Sequence, residues 1–140
     1  MHNRALATDY LRRAEVRLRA LKVLYKGESW ADVVRESQEA LELALKGLLR
    51  AYGVDPPRAH DVSDVLLAER SRLPPQLWPH LDQFARASRA LRRDRELSLY
   101  GAEDLTPSGF YSKTDAKEAR ASVRHAVRLI LPLVTGVGDR

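Results

Sequence analysis

The chain contains no cysteine, which excludes disulfide staples and any thiolate metal site. It also lacks an apolar run of about 18 residues, so no transmembrane helix and no membrane partner is expected. There is no signal-peptide pattern, and the expected setting is the cytoplasm. No stretch alternates apolar and polar residues as a half-buried strand would, and there is no internal repeat or low-complexity block. A chain of 140 residues is long enough to bury a real core in one domain. The expected unit spans 6–134, with 135–140 as a loose C-terminal tail.

What the chain has in quantity is positive charge. The formal balance is +5, and arginine far outnumbers lysine. Arginine forks bind phosphate well, so nucleic acid is one candidate partner class. A GC-rich genome also writes arginine wherever a cation serves, and most of these cations are dispersed along the sequence. Only one cluster is dense, at Arg86, Arg89, Arg92, Arg93 and Arg95.

The most strongly patterned stretch runs from Ser29 to Gly53. Its apolar residues, among them Val33, Val34, Leu41, Ala44, Leu45, Leu48 and Leu49, recur with the helical period. Ser29 and Asp32 stand at capping-box spacing, and Gly53 supplies a C-terminal stop. Before it, Leu6 to Tyr25 places Tyr10, Ala14, Leu18, Leu21 and Tyr25 on one face of a first helix. The break at Lys26-Gly27-Glu28 implies an antiparallel helical hairpin.

After Gly53, Pro56-Pro57 demands an extended connector. A short helix is expected from about Val62 to Arg70, capped by Asp61 or Ser63. A fourth helix should start at Pro75, the favoured first-turn position for proline, and end by Tyr100-Gly101. Its inner face is Leu77, Leu81, Phe84, Ala87, Leu91 and Leu97. Residues 101–112 read as a loop and a candidate contact site. The last helix is expected from about Thr114, which would cap it, with Ala116, Ala119, Val123, Val127, Ile130 and Leu131 inward and Pro132 kinking or fraying its end. The fold class is all-α, an up-and-down four-helix bundle with an additional short helix.

Few residues invite chemistry. Glu42 and Lys46 lie at i,i+4 in the order that stabilises a helix, close to the apolar stripe, and are read as structural polar residues. His60-Asp61 follows the double proline and suggests acid–base work, since histidine titrates near neutral pH. Adjacent loop residues rarely aim at one reactive atom, so both are assigned to locking the connector against the bundle. His80 and His125 stand apart, without a partner at metal-ligand spacing, so no metal is expected, and no cofactor is called for. The arginine cluster exceeds what a helix C-terminus needs to offset its dipole. With Tyr100 at its end it could hold phosphate and stack a base, which makes Arg89, Arg92, Arg93, Arg95 and Tyr100 the candidate nucleotide- or RNA-binding set.

The central SQEALELALKGLL, the PP-x-x-HD-V connector, RDRELSLYG and FYSKTDAKEA together resemble the HEPN family of helical bundles, in order and spacing, from about Ala7 to Leu133. The resemblance implies a four- or five-helix bundle that usually forms a homodimer. Many members are metal-independent ribonucleases, often toxins paired with a minimal nucleotidyltransferase antitoxin. Their signature is an arginine followed, four to six residues on, by a histidine that acts as acid or base while the arginine steadies the phosphate. This chain departs from it: Arg95 fits the arginine, but the residue five places on is Tyr100, and no histidine lies in the stretch. A phenol with a pKa near 10 is a poor base at neutral pH. The expectation is therefore a binding module, partnered by a nucleotidyltransferase and holding RNA or a nucleotide. The alternative is a metal-independent endoribonuclease using Arg95 with Tyr100 or His60.

Overall fold

The computed structural model describes the backbone of residues 3–100 and 110–136, and the side chains of 4–91 and 110–136. Five α-helices follow one another among these residues, and there is no strand: α1 (Asn3–Lys26), α2 (Trp30–Ala51), α3 (Ser63–Ala68), α4 (Leu81–Tyr100) and α5 (Lys113–Val134). Two 3-10 turns, Arg70–Arg72 and Pro75–His80, join α3 to α4. This is the expected all-α architecture, four long helices and a short one.

The apolar stripe of α2 dictates the packing. Val33, Ala40, Ala44, Leu45, Leu48 and Leu49 are wholly buried, so α2 is the central element, flanked by α1 and α5. From α1 come Ala7, Leu11, Ala14 and Leu21, and from α5 Val123, Ala126 and Ile130. Close approach of α1 and α2 depends on Gly47. A Cβ there would stand 2.4 Å from Leu11 Cδ2 and 3.1 Å from Tyr10 Cβ. The ends of the described chain are also tied, with Arg4 Nη1 donating to the carbonyls of Leu133 and Val134 at 3.2 and 3.0 Å. Helix α4 packs chiefly on α3 and touches α2 and α5 only lightly. That leaves a groove between α2, α4 and α5.

Several ends differ from the sequence expectation. The Ser29 side chain does not cap α2. Its hydroxyl donates to Asp32 Oδ2 at 2.6 Å, but with ψ at 74° rather than extended its oxygen accepts no amide of the first turn. The left-handed residue of the α1–α2 link is Glu28 (φ 57°), not the neighbouring glycine. Gly53 does turn at φ 79°, past the last turn of α2. Helix α3 ends at Ala68, two residues short of Arg70, and the chain tightens into a 3-10 turn. Pro75 opens a 3-10 turn rather than α4 itself, because Pro79 cannot donate the amide a continuous α-helix would need there. At α5, Ser112 replaces Thr114 as the cap: its Oγ accepts from Asp115 N–H at 3.2 Å while Asp115 Oδ2 accepts from Ser112 N–H at 2.8 Å. Helix α5 continues through Pro132 to Val134. Most of the expected 101–112 loop, and tail residues 137–140, lie outside the described residues.

Candidate functional site

The chain from Val54 to Val62 crosses from the end of α2 to the start of α3, and its polar residues meet two helices on the way. On the α2 side, Glu42 accepts from Lys46 Nζ at 2.9 Å through Oε2 and engages His60 Nδ1 at 2.7 Å through Oε1. A carboxylate only accepts, so the Nδ1 position carries the proton in this contact. Glu42 and Lys46 are mostly buried, with side-chain exposures of 17% and 14%, while His60 is half exposed. The three residues that sequence reasoning treated as two separate pairs thus form one chain of contacts.

On the α4 side, Asp61 Oδ1 accepts from Ser63 N–H at 2.9 Å, closing a turn into α3. The same oxygen accepts from the Ser88 hydroxyl at 3.2 Å, and Ser88 Oγ in turn accepts from Val62 N–H at 2.8 Å. Burial pushes the Asp61 carboxyl up. The Ser63 side chain and backbone, the Ser88 hydroxyl and the charge of Arg89 outweigh it together and hold the group below its ordinary value of 3.8. Ser88 is fully buried, and sequence reasoning missed it. A signal was there: Leu81, Phe84, Ser88 and Leu91 share one helical face, so a lone hydroxyl sits among core positions.

Two further histidines meet where none was expected to. His125 Nε2 and His80 Nδ1 are 3.2 Å apart, their rings edge to face, and Phe84 lies 6.3 Å from each. Among the described residues no three His, Asp or Glu side chains converge as a metal set.

Of the arginine cluster, Arg86 and Arg89 are exposed on α4. The side chains of Arg92, Arg93, Arg95 and Tyr100 lie outside the described residues. Their backbone is helical through Tyr100, so Arg89, Arg93 and Tyr100 occupy register positions i, i+4 and i+11. Among the described residues His60 reaches Glu42.

A family model, that of the HEPN domain, matches residues 7–132. The chain is a HEPN-family protein. No curated protein and no solved structure matches it. Within this HEPN domain no described helix is long and apolar enough to cross a membrane.

Proposed function

We propose that this HEPN domain, taken as one unit over 6–134, acts by binding rather than by cleaving. In this reading it is a homodimer and the partner of a minimal nucleotidyltransferase, in a toxin–antitoxin or other RNA- or nucleotide-related system. RNA or a nucleotide is held by Arg89, Arg92, Arg93, Arg95 and Tyr100. The observation that carries the reading is the unbroken helical backbone of α4 through Tyr100, with Arg89 exposed at its midpoint. A continuous helix sets cations and a phenol at regular register, as a surface for phosphates and a stacked base requires. Glu42, Lys46, His60 and Asp61 hold the connector in place.

The test pairs a binding assay with a cleavage assay. Single-stranded RNA should bind wild-type protein with an affinity that falls steeply as salt rises. Arg95→Ala should weaken binding and reduce the salt slope by about 1, and neither protein should cleave RNA in chelator. Cleavage by wild type and not by Arg95→Ala would make the protein a metal-independent endoribonuclease. Absence of RNA and nucleotide binding at low salt would remove the binding reading.

A further inference from the structure

Helix α1 carries a charge that the rest of the chain does not. It holds seven lysines and arginines against two acids, a balance of +5. The whole chain, with 24 cations and 19 anions, is also +5, so everything outside α1 is neutral. The two acids are engaged within the helix: Asp9 lies 3.9 Å from Arg13, and Glu15 3.9 Å from Arg12. Arg17 is held by Glu36 of α2 at 2.6 Å. Arg12, Arg19 and Lys26 are exposed at positions i, i+7 and i+14, and so form one row along the helix.

Beside this row runs an apolar stripe. Val16, Ala20 and Val23 stand at i, i+4 and i+7, with Val16 52% and Val23 72% exposed. They border a shallow groove of about 760 Å³ whose described walls come from α1 and α2, Leu24 and Glu36 among them. The opposite face of α1 already supplies Ala7, Leu11, Ala14 and Leu21 to the core, so the helix has two apolar faces where a surface helix needs one. Size and charge select what covers the second. A nucleic acid would use the cations and leave the valines in water. Helices that lie on lipid present Trp, Phe or Leu, whereas these side chains are small and set beside a groove. A second copy packed α1 against α1 would oppose two helices of charge +5. A helix with a small apolar seam and acids along one edge meets both the stripe and the row, at the seven-residue spacing of paired helices.

We propose that the outer face of α1 docks an acidic amphipathic helix of a partner protein. The seam of that helix packs on Val16, Ala20 and Val23, and its acidic edge lies along Arg12, Arg19 and Lys26. The surface lies on different elements from the arginine cluster of α4.

The probe is a fluorescent synthetic peptide about three heptads long, with valine and alanine along the seam and glutamate along one edge. It is titrated with the full chain and followed by anisotropy, and by circular dichroism for the helix it gains on binding. Saturable micromolar binding is expected, and none for a peptide of the same composition in scrambled order. Arg19→Glu with Lys26→Glu, both exposed, should weaken binding about tenfold, and a peptide with lysine in place of glutamate should recover it. Val16→Ser with Val23→Ser should also weaken it about tenfold while the melting temperature stays unchanged, since both positions face water. Absence of saturable binding, equal binding of the scrambled peptide, or failure of the lysine peptide to recover the reversed variant would each overturn the proposal. Displacement of the peptide by single-stranded RNA, binding to phosphatidylglycerol vesicles that the double serine variant loses, or a wild-type dimer that Val23→Glu dissociates would also overturn it. Those results would assign the face to nucleic acid, to lipid or to a second copy.

Discussion

Replacing Ser88 with alanine tests how the connector is fastened. The side chain is fully buried and its hydroxyl makes two contacts, accepting from Val62 N–H at 2.8 Å and donating to Asp61 Oδ1 at 3.2 Å. Val62 is 1% exposed, so its amide cannot turn to water when the acceptor is removed. A buried donor left without a partner costs about 1–3 kcal/mol, and alanine fills nearly the same volume, so a net loss of about 2 kcal/mol is expected. For a domain of this size that lowers the melting temperature by about 8 °C, read by circular dichroism and by urea titration at neutral pH. The proton linkage supplies an independent check. Asp61 has its folded pKa depressed, so its contribution is fully present above the unfolded carboxyl value and is lost as pH falls through the folded one. Ser88 is one of the groups that lower it, and the gap between wild type and Ser88→Ala should therefore narrow on acidification below about pH 4. A variant melting within about 1 °C of wild type at neutral pH would refute the assignment.

Gly47→Val should destabilise by about 2 kcal/mol or more in urea, because its Cβ would enter the space of Leu11 Cδ2 on α1. Gly47→Ala should cost less, since alanine recovers about 1 kcal/mol of helix propensity. Glu42→Ala leaves Lys46 and His60 without their shared acceptor and should lower stability by about 1–2 kcal/mol while RNA affinity stays within about twofold. Lost RNA binding with unchanged melting and unchanged dimer would instead place Glu42 at the ligand.

Periodicity exposed the helices because burial is one-sided: the stripe of α2 names its own core face, and nearly every residue read as inward on α2 and α5 is buried or half-buried. The ends were harder to read. Ser29 and Ser112 present the same Ser-x-x-Asp pattern and both hydroxyls donate to the aspartate, yet only Ser112, whose backbone is extended at ψ 171° where Ser29 has ψ 74°, also accepts from the aspartate's amide and closes a box. The connector's chemistry was half legible. His60 and Asp61 drew notice as neighbours in sequence, but they diverge, one to α2 and the other to α4, through partners 18 and 27 residues away. The His80–His125 contact spans 45 residues, and no spacing rule reaches that far. The need for glycine at 47 lies on another helix, at Leu11 and Tyr10, and has no signal within α2 itself.

The hydrogen bonds from Arg4 to the end of α5 have a consequence for the order in which the protein can assemble. Arg4 and Val134 are 130 residues apart in sequence, and closing so long a segment costs about 4 kcal/mol of chain entropy beyond a constant term. The α1–α2 hairpin, with a link of only three residues, closes at far smaller cost. During synthesis that hairpin can therefore pair early, while the first turns of α1, Ala7 and Leu11 included, complete their packing only after α5 has left the ribosome.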